Sequence, residues 1–279
     1  MRLPQFYIDD IIKRALAEDI NYIDVSTVYL FDEQQRADAY FVAKADGVLC
    51  GIEVAMRVFE LLDPTFRAEL YKHDGDVICK GDRIADFNGK ACYLLQGERT
   101  ALNLLQHMSG VATATAEAVK RIDGTHASVA ETRKTLPGLR GLQKYAVTCG
   151  GGKNHRYNLS DAAMLKDNHI DAGGGIAATV EKLRQKAGHT IKIEVETRNL
   201  EEVREALRAR ADIIMLDNMS IDEMREAVKL IDGAALTEAS GNITAETIRP
   251  VAECGVDIIS IGAITHSVKA MDISMKIQL

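Results

Sequence analysis

The chain has 279 residues, of which 47% are hydrophobic, and a formal net charge of −7 at pH 7. This length and apolar content are sufficient for a large buried core, whereas no apolar run approaches the roughly 18 residues that a membrane-spanning helix requires. The acidic balance argues against a nucleic-acid-binding protein, because binding to phosphates usually requires an excess of Lys and Arg.

The first 110 residues predict a mixed unit of helices and strands. Apolar residues at helical spacing predict helices over residues 8–17 and 54–62 and a longer helix from residue 99 to about 122. A strand is expected over residues 37–44. Residues 74–82 have turn residues at both ends, so we expect hairpin structure there.

From about residue 127, short apolar runs alternate with amphipathic helical stretches. The runs span residues 128–130, 162–165, 191–195, 213–216, 234–236 and 258–261. Two helix starts have capping-box spacing, Asn199 with Glu202 and Ser220 with Glu223. This alternation predicts a parallel sheet, and so many units in about 150 residues favour an α/β barrel over an open, doubly wound sheet.

Polar residues follow each of these runs, where a barrel would carry its active site. They are Glu131, Arg133, Lys134, Lys166, Asp167, Glu196, Asp217, Asn218, Glu238, Ser240 and Gly262. Any one of them is equally well explained as part of a solvated loop. The whole series favours a site at the carboxyl ends of the strands.

Positive charge is concentrated in one segment of this acidic chain. Residues 133–166 contain seven Lys or Arg residues and one acid, Asp161. Such a concentration predicts a pocket for a small anionic ligand.

The five cysteines are widely scattered and form no CxxC pair: Cys50, Cys79, Cys92, Cys149 and Cys254. Near the N-terminus, Asp9 and Asp10 interrupt any export-signal-like apolar stretch. We therefore expect a reduced, cytoplasmic protein that does not associate with membranes.

Several short segments, taken together, resemble the signature segments of the quinolinate phosphoribosyltransferase family. They are Glu-Arg-Thr-Ala-Leu-Asn at 98–103, Glu-Thr-Arg-Lys-Thr-Leu-Pro-Gly-Leu-Arg at 131–140, Gly-Gly-Gly-Lys-Asn-His-Arg at 150–156, Met-Leu-Lys-Asp-Asn-His-Ile at 164–170, Leu-Asp-Asn-Met at 216–219 and Glu-Ala-Ser-Gly at 238–241. Each segment alone is weak, but the combination is specific and extends in order over nearly the whole chain.

The resemblance implies an α/β protein with two domains. An N-terminal α/β sandwich is expected over residues 1–110, joined by the C-terminal tail, and an incomplete, TIM-like α/β barrel with the active site over residues 111–279. It also implies a homodimer or higher homo-oligomer with shared active sites, in which Arg99 reaches the site of a neighbouring subunit.

The resemblance further implies the roles of individual residues. Lys134, Lys166, Glu196 and Asp217 are expected to be catalytic. Substrate binding is expected to involve Arg99, Arg133, Lys134, His155, Arg156, Lys166, Glu196, Asp217, Ser240, Gly241, Gly262 and His266. Glu196 and Asp217 are also the expected Mg²⁺ ligands, together with the pyrophosphate of the substrate. Glu194 is an alternative to Glu196, but the spacing to Asp217 and strand alternation favour Glu196.

The implied reaction joins quinolinate to phosphoribosyl pyrophosphate and yields nicotinate mononucleotide, pyrophosphate and carbon dioxide in de novo NAD biosynthesis. Quinolinate is a dicarboxylate, and Arg matches a carboxylate with two parallel hydrogen bonds. Glycine-rich backbone suits the 5′-phosphate, and Mg²⁺ held by carboxylates suits the pyrophosphate. The cationic segment and the strand-end carboxylates therefore agree with the implied chemistry.

The chain departs from the family pattern at four places. Leu136 stands where Thr is expected, Asn158 and Leu159 replace Gly-Leu, and residues 23–27 replace a Gly-Asp-x-Thr-Thr motif. Asn242 stands where a second Gly is expected after Ser-Gly. None of these changes removes a charged site residue, but Asn242 is expected to alter the phosphate-binding loop.

Three other functions are compatible with parts of the sequence. A related phosphoribosyltransferase with another acceptor, such as the molybdenum-linked paralogues, would share the fold, although the four cations Arg99, Arg133, Arg156 and Lys166 favour a dicarboxylate. Lys166 would also suit a Schiff-base aldolase. A non-catalytic anion sensor is disfavoured by the strand-end carboxylates, which a pure anion binder does not need.

Overall fold

The computed structural model describes residues 3–278 of the chain. The helices are α1 (Gln5–Ile20), α2 (Val25–Leu30), α3 (Ile52–Leu62), α4 (Ala91–Arg121), α5 (Arg140–Cys149), α6 (Asp167–Gly173), α7 (Ile176–Lys186), α8 (Leu200–Arg208), α9 (Ile221–Ile231), α10 (Ile248–Ala252) and α11 (Ala263–His266). The strands are β1 (Arg36–Ala43), β2 (Gly47–Val48), β3 (Arg67–Leu70), β4 (Val77–Ile78), β5 (Arg83–Lys90), β6 (Ser128–Ala130), β7 (Ala163–Leu165), β8 (Ile193–Thr197), β9 (Ile213–Asp217), β10 (Leu236–Ser240), β11 (Ile258–Ser260) and β12 (Ile273–Gln278).

The chain divides into two compact units. Unit 1 contains residues up to 116, 135–151 and those from 264 onward, and unit 2 contains residues 117–134 and 152–263. The division expected from the sequence lies at a single position, residue 110, and it stays a prediction.

Unit 1 is built on an antiparallel sheet with the strand order β12-β1-β5-β3, beside a short β2-β4 pair. Strand β1 alternates exposed and buried residues, and Ala37, Ala39, Phe41 and Ala43 face the core. This period of two is what an antiparallel sheet with one solvated face requires. The last strand, β12, pairs with β1, so the C-terminal segment completes the N-terminal sheet.

An aromatic cluster fills the core of unit 1. The ring of Phe59, on α3, lies 5.3 Å from the ring of Phe87 and 5.4 Å from that of Phe66, measured between centroids. Phe41 completes the cluster, 5.0 Å from Phe87. Because aromatic rings bury large areas and prefer offset or tilted contacts, this cluster anchors α3 to the sheet.

Unit 2 contains a six-stranded parallel sheet with the order β6-β11-β10-β9-β8-β7. Successive strands are neighbours from β7 to β11, and β11 returns to pair with the first strand, β6. This order is that of an α/β barrel opened between its first two strands. The predicted fold class, a small N-terminal sheet domain and a C-terminal α/β domain with parallel strands, is confirmed.

Several element boundaries differ from the predictions; the first helix, for example, spans Gln5–Ile20 rather than 8–17. Strand β10 begins at Leu236 rather than residue 234, because α9 ends in a turn around Gly233 that still involves Ala234. Strand β8 begins at Ile193 rather than 191, because Ile191 belongs to a turn closed on Gly188. The long helix α4 begins at residue 91, well before the predicted residue 99.

The hairpin expected over residues 74–82 is not formed. This stretch supplies only β4, which pairs with β2 some thirty residues earlier in the chain. Gly75 and Gly81 have left-handed backbone conformations, with φ of 95° and 99°, and these tight turns leave too few residues for two strands.

Both predicted helix starts of unit 2 are confirmed. Ser220 and Glu223 form a reciprocal capping box at the start of α9. The Asn199 side chain accepts hydrogen bonds from two backbone N–H groups of α8, whereas Glu202 accepts the N–H of Arg198 instead of closing the box.

No helix within residues 3–278 combines the length and the apolar character needed to cross a membrane.

We expect Phe59→Ala to lower the free energy of unfolding by about 3–5 kcal/mol, because it leaves a cavity in the aromatic cluster. Phe59 is 0% exposed, whereas Leu159 is 73% exposed, so Leu159→Ala is the control and should change stability by less than about 0.5 kcal/mol. Urea unfolding of both variants measures the difference. Equal effects would show that the cluster does not anchor the core.

Candidate active site

A cavity of about 550 Å³ opens in unit 2. It is lined by Thr132, Arg133, Lys134, His155, Arg156, Met164, Lys166, Glu196, Met215, Asp217, Asn218, Glu238, Ser240, Gly241, Asn242 and Ser260. The cavity therefore collects polar residues from segments that are far apart in the sequence, at the end of the sheet where the strands reach their carboxyl ends.

Strand alternation explains which residues reach the cavity. On β9, Met215 and Asp217 line it while Leu216, between them, is buried. On β10, Glu238 and Ser240 line the cavity while Ala239, between them, is buried. Since every second side chain of a strand points to the same face, β9 and β10 each offer one residue within the sheet and one at the strand end.

Four cations line the cavity: Arg133, Lys134, Arg156 and Lys166. The guanidinium of Arg156 donates a hydrogen bond to the carbonyl of Ala162 at 2.9 Å. Burial lowers the pKa of Arg156, and the nearby charge of Arg133 lowers it further. The two guanidinium groups thus repel each other, and an anion bound between them would relieve this repulsion.

Lys166 and Glu196 form an ion pair on the cavity wall. The Lys166 Nζ atom lies 2.8 Å from Glu196 Oε2, and both residues line the cavity. Glu194, two residues earlier on β8, is 1% exposed and does not reach the lining. Of the two glutamates considered from the sequence, Glu196 is the one that faces the cavity.

Asp217 is held by a chain of side-chain amides. Asn218 donates to Asp217 Oδ2 at 2.9 Å, and Asn242 donates to Asn218 Oδ1 at 3.0 Å. Gly241 has a φ of 98°, and a Cβ atom there would come within 2.3 Å of Asn218 Oδ1. Glycine is therefore required at 241, and Asn242, the departure noted in the sequence, is tied through Asn218 to Asp217.

His155 lies between two buried carboxylates. Its Nε2 atom is 3.4 Å from Glu194 Oε2 and 3.3 Å from Glu238 Oε1. Burial by itself lowers the pKa of His155, but the two carboxylates outweigh burial and raise the pKa to about 9. Burial also raises the pKa of Glu194, and the charge of Glu238 acts in the same direction.

Two groups of side chains within residues 3–278 have the composition and spacing to hold a metal ion. One is His155, Glu194 and Glu238, and the other is Cys50, Asp74 and Cys149 in unit 1. Glu196 and Asp217, the predicted Mg²⁺ ligands, belong to neither group, but both line the cavity.

Nine of the predicted site residues line this cavity, and three do not. Arg99 is exposed on α4 in unit 1, and His266 belongs to α11. Gly262 lies two residues after the end of β11 but is outside the lining. The roles predicted for these three residues, including the reach of Arg99 into a neighbouring subunit, stay predictions.

The N-terminal and C-terminal domain models of the quinolinate phosphoribosyl transferase family match residues 24–109 and 111–276 of this chain.

The chain belongs to the quinolinate phosphoribosyltransferase family.

Similar proteins of known name include members from bacteria and plants. A protein of Bacillus subtilis (strain 168), named a probable carboxylating nicotinate-nucleotide pyrophosphorylase, is 47% identical over 94% of this chain and 90% of its own length. A decarboxylating, mitochondrial quinolinate phosphoribosyltransferase 2b of Nicotiana tabacum is 43% identical over 98% of this chain and 83% of its own length. The crystal structure of NadC from Streptococcus pyogenes has a TM-score of 0.97 at 43% identity, covering 100% of this chain and 99% of that one.

Seven lining residues of this quinolinate phosphoribosyltransferase family member were assigned no role from the sequence, although Asn218 and Glu238 belonged to the strand-end series: Thr132, Met164, Met215, Asn218, Glu238, Asn242 and Ser260. The signal for four of them is strand alternation. Met164, Met215, Glu238 and Ser260 each stand two positions before a polar residue or glycine at the end of a strand. Counting back two residues from each strand end would have found them.

We expect the wild-type free energy of unfolding to fall as the pH rises from about 6.5 to about 9. The folded-state pKa of His155, about 9, lies above its ordinary value of 6.5, so its stabilisation is complete below pH 6.5 and lost as the pH passes 9. The change attributable to His155 is about 2–3 kcal/mol.

Urea unfolding at several pH values measures this dependence in the wild type and in His155→Gln. His126 has a side chain that is 59% exposed, so His126→Gln is the control and should keep the wild-type profile. A His155→Gln profile that equals the wild-type profile would contradict the assignment of the raised pKa.

Proposed function

We propose that this protein transfers the phosphoribosyl group of phosphoribosyl pyrophosphate to quinolinate, with loss of carbon dioxide, to form nicotinate mononucleotide and pyrophosphate. The observation that carries the proposal is the presence of four Lys and Arg side chains beside the strand-end carboxylates Glu196 and Asp217 in one cavity of a family member. A dianionic acceptor needs the cations, and a reaction that develops positive charge on a sugar needs the carboxylates.

Quinolinate binding would use the guanidinium groups of the cavity. Burial is the largest cause of the lowered pKa of Arg156, and the charge of Arg133, which repels it when no anion lies between them, lowers the pKa further. A carboxylate between them turns this repulsion into two charge-assisted attractions, and each guanidinium can donate two parallel hydrogen bonds. Lys134 and Lys166 add positive charge without demanding a particular geometry.

The transfer step needs no strong base. The pyridine nitrogen of quinolinate attacks C1 of the ribose, the C1–O bond to pyrophosphate breaks, and pyrophosphate leaves with the electron pair. Positive charge develops on the ribose as this bond breaks. Glu196 and Asp217 line the cavity and supply the opposite charge, which stabilises the transition state more than the ground state.

Decarboxylation follows from the charge of the new pyridinium. The bond between ring carbon C2 and its carboxylate breaks, carbon dioxide leaves, and the electron pair stays on C2, where the adjacent positive nitrogen stabilises it. C2 then takes up a proton, which completes nicotinate mononucleotide. The protein assists by holding the ring and by excluding water, rather than by covalent chemistry.

We also propose that Glu196 and Asp217 hold Mg²⁺ together with the pyrophosphate of the donor. They are hard oxygen donors at the ends of the neighbouring strands β8 and β9, and Mg²⁺ is usually held by one or two carboxylates plus substrate phosphates. When bound, the ion neutralises the charge that accumulates on the leaving pyrophosphate. Lys166 pairs with Glu196 in the structure. If Glu196 held Mg²⁺ instead, the Lys166 amine could turn toward an anionic substrate.

A homo-oligomer in the cytoplasm is the setting that we propose for this reaction. Apolar residues near the N-terminus are exposed in the single chain and would be covered by a second copy: Phe6, Tyr22, Val25, Val28, Tyr29 and Leu30. The cysteines are free, which fits a reducing compartment.

An aldolase that uses Lys166 is disfavoured by one observation. The Lys166 amine donates to Glu196 at 2.8 Å, so it is held as a cationic hydrogen-bond donor rather than as a free nucleophile.

Incubation with quinolinate, phosphoribosyl pyrophosphate and Mg²⁺ tests the proposed function directly. We expect nicotinate mononucleotide and carbon dioxide to form in equal amounts. Folded protein that yields neither product would refute quinolinate as the acceptor. A screen of other anionic acceptors with the same donor would then identify a related transferase.

Arg133→Ala should raise the KM for quinolinate or lower kcat/KM by about a hundredfold, because a bidentate charge-assisted contact is lost. Arg225 is half-exposed, pairs with Asp222 at 3.2 Å and lies outside the cavity lining, so Arg225→Ala is the control and should keep wild-type kinetics. Steady-state kinetics measures both variants. Near-normal turnover of Arg133→Ala would remove this residue from the proposed site.

Mixing two inactive variants tests whether active sites are shared. If Arg99 serves the site of a neighbouring subunit, dimers of Arg99→Ala with Lys166→Ala contain one intact site, so a statistical mixture should regain about a quarter of wild-type activity. Subunit exchange is verified separately with labelled chains. Exchange without any recovered activity would mean that each chain builds its own complete site.

A further inference from the structure

Two cysteine thiols lie side by side in unit 1. Cys50 stands two residues before α3, and Cys149 is the last residue of α5. Their sulfur atoms and a carboxylate oxygen of Asp74 all lie within 4.8 Å of one another. Cys50 is 0% exposed, whereas Cys149 is partly exposed. The pair therefore joins a fully buried thiol to a residue that is partly open to solvent.

Helix α4 fixes the backbone at both cysteines. Cys50 donates its N–H to Ser109 Oγ at 3.0 Å, and the same hydroxyl donates to the carbonyl of Cys50 at 3.1 Å. Gly150, which follows Cys149, packs so closely on α4 that a Cβ atom there would come within 2.3 Å of the carbonyl oxygen of Ala112. Because both anchors belong to one helix, the two thiols stay close together in the folded chain.

The carboxylate of Asp74 is already engaged by other groups. Its Oδ1 atom accepts the N–H groups of Gly51 and Ile52, at 2.8 and 2.9 Å, where α3 begins. Its Oδ2 atom accepts the hydroxyl of Tyr145 at 2.9 Å. A metal ion would have to compete with these contacts, and two thiols alone are too few ligands for a closed tetrahedral zinc site. The geometry favours chemistry between the two sulfur atoms.

We propose that Cys149 and Cys50 form a modification site at which hydrogen peroxide converts the two thiols into an internal disulfide. The Cys149 thiolate attacks one peroxide oxygen, the O–O bond breaks, and a sulfenic acid forms. The Cys50 sulfur then attacks the Cys149 sulfur, the S–O bond breaks, and the hydroxyl group leaves as water with the thiol proton of Cys50. In total the two thiols lose two electrons and two protons, and the peroxide is reduced to two molecules of water.

The surroundings of the pair give its two members different roles. A hydrogen bond from Cys50 lowers the pKa of Cys149 and outweighs burial and the charge of Asp74, which act in the opposite direction. Burial is the largest cause of the raised pKa of Cys50. Because the thiolate is the nucleophile, the partly exposed Cys149 meets the oxidant and the buried Cys50 resolves the sulfenic acid.

The disulfide would join two distant segments of unit 1. Cys50 and Cys149 lie 99 positions apart, so the link would close a long loop of the unfolded chain. A dithiol reductant can restore both thiols by exchange, which makes the modification reversible and compatible with a reducing compartment. The inference does not rest on the proposed function, because neither cysteine lines the cavity of unit 2.

Treatment of the reduced, folded wild type with hydrogen peroxide tests the proposal. Remaining thiols are alkylated, and the peptides are mapped by mass spectrometry. We expect a peptide pair linked through Cys50 and Cys149 that disappears on reduction with dithiothreitol. Cys79 is exposed and lies outside the group, so the control Cys79→Ser should form the same link. Oxidation of Cys149 without this link, or two cysteines that both stay reduced, would overturn the proposal.

Two variants test the separate roles of the cysteines. In Cys50→Ser the sulfenic acid of Cys149 loses its partner, so its capture by dimedone should rise at least about tenfold over the wild type. In Cys149→Ser, Cys50 should stay reduced under the same treatment. A folded Cys149→Ser in which Cys50 is oxidised, or a folded Cys50→Ser without the dimedone adduct, would overturn the proposal. Thermal unfolding shows whether each variant folds, and if one does not, the mapping of the wild type decides alone.

Native mass spectrometry with added zinc distinguishes thiol oxidation from metal binding. We expect the reduced wild type and Cys149→Ser to retain the same amount of zinc after desalting. Zinc that the wild type retains and Cys149→Ser loses would overturn the proposal in favour of a metal site at Cys50, Asp74 and Cys149.

Discussion

The alternation of side chains along parallel strands is the constraint on which the site depends. Each strand of unit 2 that reaches the cavity brings a residue at its end and another two positions earlier, on the same face. For β8 and β10 the earlier residues are Glu194 and Glu238, so the alternation that presents Glu196 and Ser240 at the strand ends also carries two carboxylates into the interior. The Nε2 atom of His155 lies between these two carboxylates, 3.4 Å from Glu194 and 3.3 Å from Glu238.

Buried charge in this protein links stability to binding. The lowered pKa of Arg156 and the raised pKa of Glu194 both have burial as their largest cause, and both record a cost to the folded chain. Such costs are usual where a site must meet charged ligands in a cavity from which water is largely excluded. An anion bound between the guanidinium groups would offset the cost at Arg156.

The sequence predicted correctly which polar residues lie near the strand ends, but not which of them are buried. Lys166 and Asp217 follow apolar runs that are short and clearly bounded, and both line the cavity. Glu238 was expected beyond its strand, because two alanines at 234 and 235 resemble the start of a strand. They belong instead to the turn that ends α9, so β10 begins later and Glu238 lies within it, buried.

By itself, the amino-acid sequence determined the alternation of strands and helices, the position of the charged residues near the strand ends and the family, because periodicity and short motifs are local properties of the chain. Only the tertiary structure decided that Glu196 faces the cavity while Glu194 pairs with His155, and that Asn242 supports Asp217 through Asn218. His155 and Glu194 lie 39 positions apart in the chain, and Asn218 and Asn242 lie 24 positions apart. The geometry of these two pairings depends on strand register and packing, which no local pattern encodes.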